Sequence, residues 1–282
     1  GKGHAIYHFY TAWPHGGFEH YYKPLLDEIV RHDATPMISF MSIPAEGDNY
    51  TGCGDPTWNL DSIINGSHDD FLHQFAQELA AYEHTVLMRW GHEMNLNQYS
   101  WAGFCNGGRT DKFILAYRHI VDLFRQDGAH NAKWIWSPII GNNPPEAWND
   151  YRNYYPGDDY VDWVGIVGYN FGASSPYTSY RWATFDMLYS TMLSELAAEH
   201  PGKQVMLADY GSVEDDGGDK AEWIRDAFQK AKEHDLCTYS LSFLRRQEFT
   251  LATKMDTRLR GYGTLSGSNK TANIVPINPL LE

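Results

Sequence analysis

The sequence has no apolar run that approaches the roughly 18 residues needed to cross a lipid bilayer. It is also short of positive charge, because 22 Lys and Arg face 36 Asp and Glu, a net charge of −14 with histidine counted as neutral. Nucleic acids and anionic membrane surfaces both attract clustered basic charge. We therefore expect no nucleic acid and no membrane as a partner.

Motifs that bind metal ions or nucleotide cofactors are missing as well. No CxxC pair or Cys/His spacing of a structural zinc site occurs, and the 13 histidines, among them His4, His15 and His20, form no HExxH motif. A serine nucleophile elbow, a phosphate-binding loop and a dinucleotide glycine fingerprint are also absent. We expect no metal and no cofactor.

Cysteine is scarce, with three residues in the chain. Cys53 (TGCGDP) and Cys105 (AGFCNGG) lie among glycines in expected loops, whereas Cys237 opens an apolar strand and is interpreted as a small buried side chain. Two interpretations of the first pair stay open: a disulfide between them, or two unrelated thiols.

Aromatic residues, in contrast, are plentiful, at 15% of the chain with 10 Trp and 19 Tyr. One explanation is a core rich in tryptophan. The other is a sugar-binding cleft, in which flat rings stack on the apolar faces of pyranoses. Composition does not separate the two.

Short apolar runs alternate with longer segments in which apolar residues recur every three or four positions. The runs that predict strands are Ala5–Tyr10, Thr35–Met41, Thr85–Trp90, Lys133–Ser137, Val161–Tyr169, Gln204–Tyr210 and Thr238–Leu244. The segments that predict helices are Tyr21–Arg31, Asp69–Tyr82, Asp111–Arg125, Phe185–Glu199 and Lys220–Glu233. Thr110 is expected to cap the third of these helices.

This alternation is typical of repeated βα units around a parallel sheet. With no internal repeat or linker to divide the chain, it predicts one catalytic-type domain over residues 1–282, an α/β fold of the (β/α)8 TIM-barrel class. The eighth strand is not evident. Either the chain begins at what is usually the second strand, so that the first is atypical or missing, or the tail NIVPI (273–277) closes the sheet.

Polar residues concentrate after the third predicted strand, in RWGHEMNLNQYSW (89–101). Arg89, His92 and Glu93 would lie at the mouth of the barrel, where such folds build their sites, because an unpaired buried charge is costly. The alternative is an Arg89–Glu93 ion pair that only closes the top of the barrel. His8, in the first predicted strand, and Trp13, which follows that strand, are expected to line the same cleft.

A second carboxylate, Asp209, ends the strand in QVMLADYGS (204–212). Two carboxylates at the ends of different strands suit glycoside cleavage, in which one protonates the leaving oxygen and the other attacks or stabilises the sugar cation. Asp209 as an ordinary strand-end cap is the alternative.

At this point the sequence resembles glycoside hydrolase family 26, the β-mannanase and lichenase family of retaining barrel enzymes. The motifs that carry the resemblance lie between about Trp58 and Ile224 and are RWGHEMN with Trp101, AYRHIVDLFRQDGAHNAKWIWSP, YYPGDDYVDWVGIVGYN and ADYGSVEDDGGDKAEWI. The resemblance implies a barrel with catalytic carboxylates on its fourth and seventh strands.

Residue by residue, the resemblance implies Glu93 as the general acid/base, with Arg89 and His92 as neighbouring site residues. Tyr169, in GYN, corresponds to a tyrosine that hydrogen-bonds the nucleophile. Trp101 corresponds to a ring that stacks on the sugar beside the acid/base, and its alternative role is core packing.

The chain departs from the family pattern at three positions. Asp209 stands where the family has a glutamate nucleophile. Three outcomes stay open: slower hydrolysis with retention of the anomeric configuration, hydrolysis with inversion through a water molecule in the gap, or sugar binding without catalysis. Val167 replaces an aspartate, and Ser242 or Phe243 replaces a tryptophan of the last strand. Glu214 is an alternative nucleophile.

These observations predict a glycosidase that acts on a β-linked polysaccharide, mannan-type by family default, or else a catalytically weak or inactive carbohydrate-binding barrel. We expect a monomer with a polysaccharide or oligosaccharide ligand. The N-terminal GKGHAIYH lacks the apolar core of a secretory signal. We expect a secreted or cell-surface protein in a trimmed form.

Overall fold

The structure is a computed structural model. It describes residues 5–13, 18, 22–43, 53–172, 182–214, 218–234 and 236–238. Much of the last predicted strand (Thr238–Leu244) and the whole segment 273–277 lie outside the described residues, as do His4, His15, His20, Ser242 and Phe243.

In the part of the chain that the structure describes, seven strands form one parallel sheet whose spatial order follows the order along the chain. They are β1 (Ala5–Ala12), β2 (Ala34–Met41), β3 (Val86–Arg89), β4 (Ala132–Trp136), β5 (Trp163–Asn170), β6 (Gln204–Ser212) and β7 (Cys237–Thr238). Every neighbouring pair is parallel. This arrangement is that of a partial (β/α)8 barrel.

The described residues include six α-helices. They are α1 (Lys23–Arg31), α2 (Leu60–Ile64), α3 (Asp69–Ala80), α4 (Thr110–Gln126), α5 (Phe185–Glu199) and α6 (Lys220–Glu233). Short 3₁₀ helices occupy Phe104–Asn106, Ala147–Asn149, Tyr151–Tyr154 and Asp158–Tyr160. The predicted bounds of α5 and α6 are confirmed, and both helices begin at a side-chain cap, Thr184 and Asp219 respectively.

Two details of the helices differ from expectation. Thr110 is the first helical residue of α4 instead of its cap, and Arg109, at the cap position, makes no side-chain capping hydrogen bond. The short helix α2 was not predicted. It spans little more than one turn, too short for a periodic pattern, and its N-terminus is fixed by Asn59, which accepts a hydrogen bond from Ser62 N at 2.8 Å.

The sheet has an apolar layer on each side. Toward the helices lies a large core that includes four completely buried tryptophans, Trp13, Trp90, Trp101 and Trp136. On the inner side a smaller cluster is built from one or two residues of each strand from β2 to β6, namely Met37, Leu87, Ile135, Val167, Met206 and Ala208. The inner cluster forms the floor beneath the polar groups described below.

Cys53 and Cys105 form a disulfide, which joins the segment before α2 to the 3₁₀ helix Phe104–Asn106. The first of the two interpretations is therefore the correct one. Within the described residues, no helix is both long and apolar enough to cross a membrane.

Candidate active site

Polar side chains follow the inner apolar cluster at the carboxyl ends of three neighbouring strands. Ser39 lies two residues after Met37 on β2, Arg89 two residues after Leu87 on β3, and Ser137 two residues after Ile135 of β4. Side chains two positions apart in a strand point to the same face. A polar layer therefore lies directly above the apolar floor, at the end where parallel barrels carry their sites.

Arg89 is the centre of this layer and is completely buried. Its guanidinium donates from Nη1 to Asp209 Oδ2 at 2.6 Å, from Nε to Ser39 Oγ at 2.7 Å, and from Nη2 to the hydroxyl of Tyr10 at 3.0 Å. Register explains part of this contact set, because Tyr10 pairs with Ser39 and Ser39 pairs with Arg89 across β1, β2 and β3. The buried cation is thus matched by a buried anion from β6.

A β-bulge turns Asp209 toward this layer. Ile166 of β5 pairs with Leu207, but the next residue, Val167, pairs with Asp209, so that Ala208 is an extra residue in β6. Strict alternation from Leu207, which packs in the helix-side core, would direct Asp209 to the helices as well. Bulges commonly re-aim a side chain beside an active site, and here the bulge brings Asp209 to Arg89.

Tyr10 contacts the same carboxylate. Its hydroxyl donates to Asp209 Oδ1 and Oδ2, both at 3.1 Å. Burial, followed by the negative charge of Asp209, raises the pKa of Tyr10 well above its ordinary value of 10.0, although Arg89 opposes the change. The phenol therefore stays protonated and remains a donor at neutral pH.

Glu93 lies in the loop that follows β3, in a left-handed backbone conformation with φ of 54°. Such a conformation is strained for any residue other than glycine and occurs preferentially at functional sites. Its backbone N–H donates to the carbonyl of Ser137 at 2.8 Å. Its charge, after burial, is the largest cause of the raised pKa of Tyr99. Gly91, with φ of 68°, lets the chain turn between Arg89 and Glu93.

The charges of both carboxylates raise the pKa of three tyrosines, Tyr10, Tyr99 and Tyr169. After burial, the strongest cause of the raised pKa is the charge of Asp209 for Tyr169 and the charge of Glu93 for Tyr99. Glu93 also raises the pKa of Tyr10 and Tyr169, and Asp209 that of Tyr99. Both acids thus act on one cluster of tyrosines, although they come from different strands.

The predicted site residues divide into two groups. Arg89, His92, Glu93, Tyr169 and Asp209 lie around this cluster, and His92 packs edge-on against Tyr10 and Tyr99 at 5.7 and 5.0 Å between ring centroids. Arg89 pairs with Asp209, which is neither the Arg89–Glu93 closure nor the strand-end cap that were the alternatives.

The tryptophans and His8 form the second group, and their predicted places need correction. Trp101 is 0% exposed, stacks on Tyr99 at 4.5 Å and donates to the His92 carbonyl at 2.8 Å. Trp13 is also 0% exposed and packs against Phe40 and Phe71. Neither indole presents a free face. His8 is 2% exposed and contacts Ser39 Oγ at 2.7 Å, so it supports the polar layer from within.

A comparison with known families identifies the chain. The model of glycosyl hydrolase family 26 matches residues 55–231, which is more than half of the sequence. The chain belongs to glycosyl hydrolase family 26. Both strand-end carboxylates, Glu93 and Asp209, lie inside the matched span.

Two characterised relatives share part of this family 26 chain. Endoglucanase H of Acetivibrio thermocellus is 36% identical over 180 residues, 62% of this chain and 19% of that protein. Beta-1,3-xylanase TXYA from a Vibrio species is 27% identical over 108 residues, 38% of this chain and 22% of that protein. The chain spans about a fifth of the length of these curated relatives.

Among solved structures, a mannanase of Bacillus subtilis superposes on 86% of this chain and 72% of its own, with a TM-score of 0.59 and 18% sequence identity. At that identity the likeness concerns the fold, which agrees with the parallel, partly closed barrel seen here.

Several residues of the site were not predicted. Tyr10, Ser39 and Ser137 hydrogen-bond the charged groups and lie outside the charged motifs. Tyr99 lies inside RWGHEMNLNQYSW (89–101), but its place beside Glu93 was not predicted. A usable signal was present, since MIS (37–39), LMR (87–89) and IWS (135–137) each place a polar residue two positions after an apolar one, near the carboxyl end of a strand. The role of Asn95 was also missed. Its side-chain amide donates to the carbonyl of Ile139 at 2.8 Å and so joins the loop after β3 to the segment after β4.

Proposed function

We propose that this family 26 chain is a glycosidase that hydrolyses a β-linked polysaccharide, with Glu93 as general acid/base and Asp209 at the nucleophile position. The observation that carries the proposal is the convergence of the two carboxylates on one group of side chains. Asp209 of β6 accepts hydrogen bonds from Tyr10 and Arg89. Glu93, in the loop after β3, contributes with Asp209 to the raised pKa of the buried Tyr10. In keeping with the family, the proposal includes a complete (β/α)8 barrel around this site.

Each acid has its own role in the proposed reaction. Glu93 would give its proton to the glycosidic oxygen as the bond to the anomeric carbon breaks, and would take a proton from water afterwards. Asp209 would attack or stabilise the developing sugar cation. Arg89 and Tyr10 fix the orientation of the Asp209 carboxylate through hydrogen bonds of 2.6 and 3.1 Å. In the family, Tyr169 and His92 correspond to residues beside the nucleophile and the acid.

The length of the Asp209 side chain bears on the stereochemical course. Retaining glycosidases hold their carboxyl groups about 5–5.5 Å apart and inverting ones about 6.5–9.5 Å apart, so a side chain shorter by about 1.5 Å has room for a water molecule in front of it. The anomer formed first, observed by ¹H NMR during hydrolysis, distinguishes slowed retention from inversion.

A second function, a catalytically weak carbohydrate-binding barrel, is favoured by one observation. Asp209 is 1% exposed and both of its oxygens accept hydrogen bonds from the protein. A carboxylate held in this way, and one methylene shorter than glutamate, reaches less far toward a sugar.

The Asp209→Glu variant separates the two functions. A silent binder with an otherwise complete site should gain hydrolysis when the longer side chain is restored, whereas an enzyme adapted to aspartate should lose its native rate. Release of reducing ends is measured on mannan, mixed-linkage glucan, β-1,3-xylan and exopolysaccharides, because the names of the relatives span several β-linked substrates. Mannan is our first choice. If neither the parent protein nor Asp209→Glu released reducing ends from any of these substrates, the proposal that the chain is a glycosidase would be contradicted.

The remaining expectations are proposals too. A secreted or cell-surface location is supported by the Cys53–Cys105 disulfide, since disulfides persist in oxidising compartments. A monomer of one domain, which takes a polysaccharide and neither nucleic acid nor membrane as its partner, is consistent with the net charge of −14. Size-exclusion chromatography with light scattering tests the oligomeric state.

A further inference from the structure

Phe171 is an exposed aromatic residue beside the candidate site. It directly follows β5, lies two residues beyond Tyr169, and is 39% exposed. The centroids of the Tyr169 and Phe171 rings are 5.5 Å apart, with an angle of 49° between the ring planes. Phe171 therefore extends the tyrosine cluster by one ring.

The backbone on both sides of Phe171 is fixed by Asn170, a residue that is 1% exposed. The Asn170 side-chain oxygen accepts hydrogen bonds from Gly172 N at 3.2 Å and Ala183 N at 3.1 Å, while its Nδ2 donates to Ser212 Oγ at 3.0 Å. Its carbonyl accepts from Val213 N at 2.9 Å. An exposed ring is thereby held on a turn anchored to β6, the strand that carries Asp209.

The other aromatic rings expected to meet a sugar are buried. Trp13 and Trp101 are both 0% exposed, and each packs against further rings. Within the part of the chain that the structure describes, the other large apolar side chains with high exposure are Phe104, Leu115 and Met187. Leu115 and Met187 lie on α4 and α5, and Phe104 neighbours the disulfide.

A polar, charged site needs an apolar surface to bind a pyranose, whose faces consist largely of C–H groups. Ligand sites combine a few fixed polar groups with apolar or aromatic walls, and a ring that is already ordered loses little entropy on binding. Phe171 has both properties, since it is exposed next to the polar cluster and its turn is ordered before any ligand arrives.

We propose that Phe171 is a sugar-binding platform, a ring against which one unit of a β-linked oligosaccharide packs next to the unit held between Glu93 and Asp209. This inference rests on the proposed function and adds a residue that determines affinity and specificity. Because Phe171 has no group that can transfer a proton or attack the sugar, we expect it to act on binding and to leave the bond-breaking step largely intact.

The test measures binding without hydrolysis. The Glu93→Gln variant is titrated calorimetrically with hexasaccharides of β-1,4-mannose, β-1,4-glucose, β-1,3-glucose and β-1,3-xylose, alone and combined with Phe171→Ala or Phe171→Trp. For the sugar that binds, we expect Phe171→Ala to raise Kd about tenfold, the scale of a lost stacking contact, and Phe171→Trp to retain affinity within about twofold. Phe104→Ala, which removes another exposed phenylalanine, should leave Kd unchanged.

The outcomes separate the two proposals. Binding that is equally strong with Phe171→Ala and Phe104→Ala would overturn the platform while leaving the proposed function in place. Absence of binding to every hexasaccharide, in a protein whose thermal unfolding is that of the parent, would overturn both. In the active background, the platform predicts that Phe171→Ala raises KM and changes kcat by less than about threefold.

Discussion

Both oxygens of Asp209 accept hydrogen bonds from the hydroxyl of Tyr10, which in turn accepts one from Arg89. This one phenol links the first strand to the carboxylate of the sixth. Its pKa lies well above 10.0, mainly through burial, so it donates throughout the pH range in which a glycosidase works. Tyr10 therefore acts as a positioning residue for Asp209.

Replacement of Tyr10 by phenylalanine tests this role. A hydrogen bond to a charged group contributes about 1.5–3 kcal/mol, so we expect Tyr10→Phe to lower kcat by about 10- to 100-fold and to alter the pH profile. Tyr117→Phe is the matched control, since within the described residues the Tyr117 hydroxyl is buried without a hydrogen-bond partner. An unchanged kcat in Tyr10→Phe would refute the positioning role.

At the scale of single elements, the sequence was informative where local rules decide the structure. The bounds of α5 and α6 follow from their caps, Thr184 and Asp219, and from apolar spacing. The bulge at Ala208 was not predictable, because it depends on the register between β5 and β6, and simple alternation sends Asp209 to the wrong face. The sequence predicted a carboxylate at the end of this strand, but strand alternation alone did not predict which face of the sheet Asp209 occupies.

Close packing at Gly165 accommodates the bulge. A Cβ atom there would lie 2.8 Å from Ile135 Cγ2 and 2.9 Å from the Cβ of Ala208, the extra residue of β6. We expect Gly165→Ala to lower the free energy of unfolding by about 1–3 kcal/mol. By displacing Asp209 it should also lower kcat/KM about 10- to 100-fold.

The control for this change is Gly202→Ala, since no atom lies within 4 Å of a Cβ built at Gly202. Urea unfolding and initial rates are compared for both variants. If Gly165→Ala unfolded and reacted like the parent, the bulge would not depend on this contact.

For the whole molecule, the pattern of strands and helices predicted a barrel-like parallel fold, because alternating βα units have few other solutions. The same pattern did not reveal which aromatic rings are buried. Trp13 and Trp101 stand near motif residues, yet their burial is decided by partners far apart in sequence, such as Phe71 for Trp13. Proximity in sequence to a catalytic motif is therefore a poor guide to exposure.

Buried tyrosines give the whole molecule a dependence on alkaline pH. Burial is the leading cause of a pKa well above 10.0 for Tyr10, Tyr99, Tyr117, Tyr169 and Tyr189. Above pH 10 the unfolded chain releases these protons while the folded protein keeps them, so stability falls as pH rises. Each tyrosine contributes a slope of about 1.4 kcal/mol per pH unit in that range.

Urea unfolding between pH 8 and 11.5 measures this slope. The contribution of these tyrosines to the free energy of unfolding should stay level below about pH 9 and decline above pH 10. Tyr117→Phe should make the decline shallower by about 1.4 kcal/mol per pH unit. A slope that is identical in Tyr117→Phe would show that this tyrosine ionises alike in both states.

The most direct test of the account is the rate at which reducing ends appear from the best β-linked polysaccharide, compared between the parent protein, Glu93→Gln and Glu214→Gln. Loss of a general acid removes about 10²–10⁴-fold in rate, so Glu93→Gln should be slower by that factor with unchanged thermal unfolding. Glu214→Gln, which changes an exposed acid in the loop after β6, should stay within about twofold of the parent. Equal rates for Glu93→Gln and the parent would contradict the assignment of Glu93 as the acid, and with it the proposed mechanism.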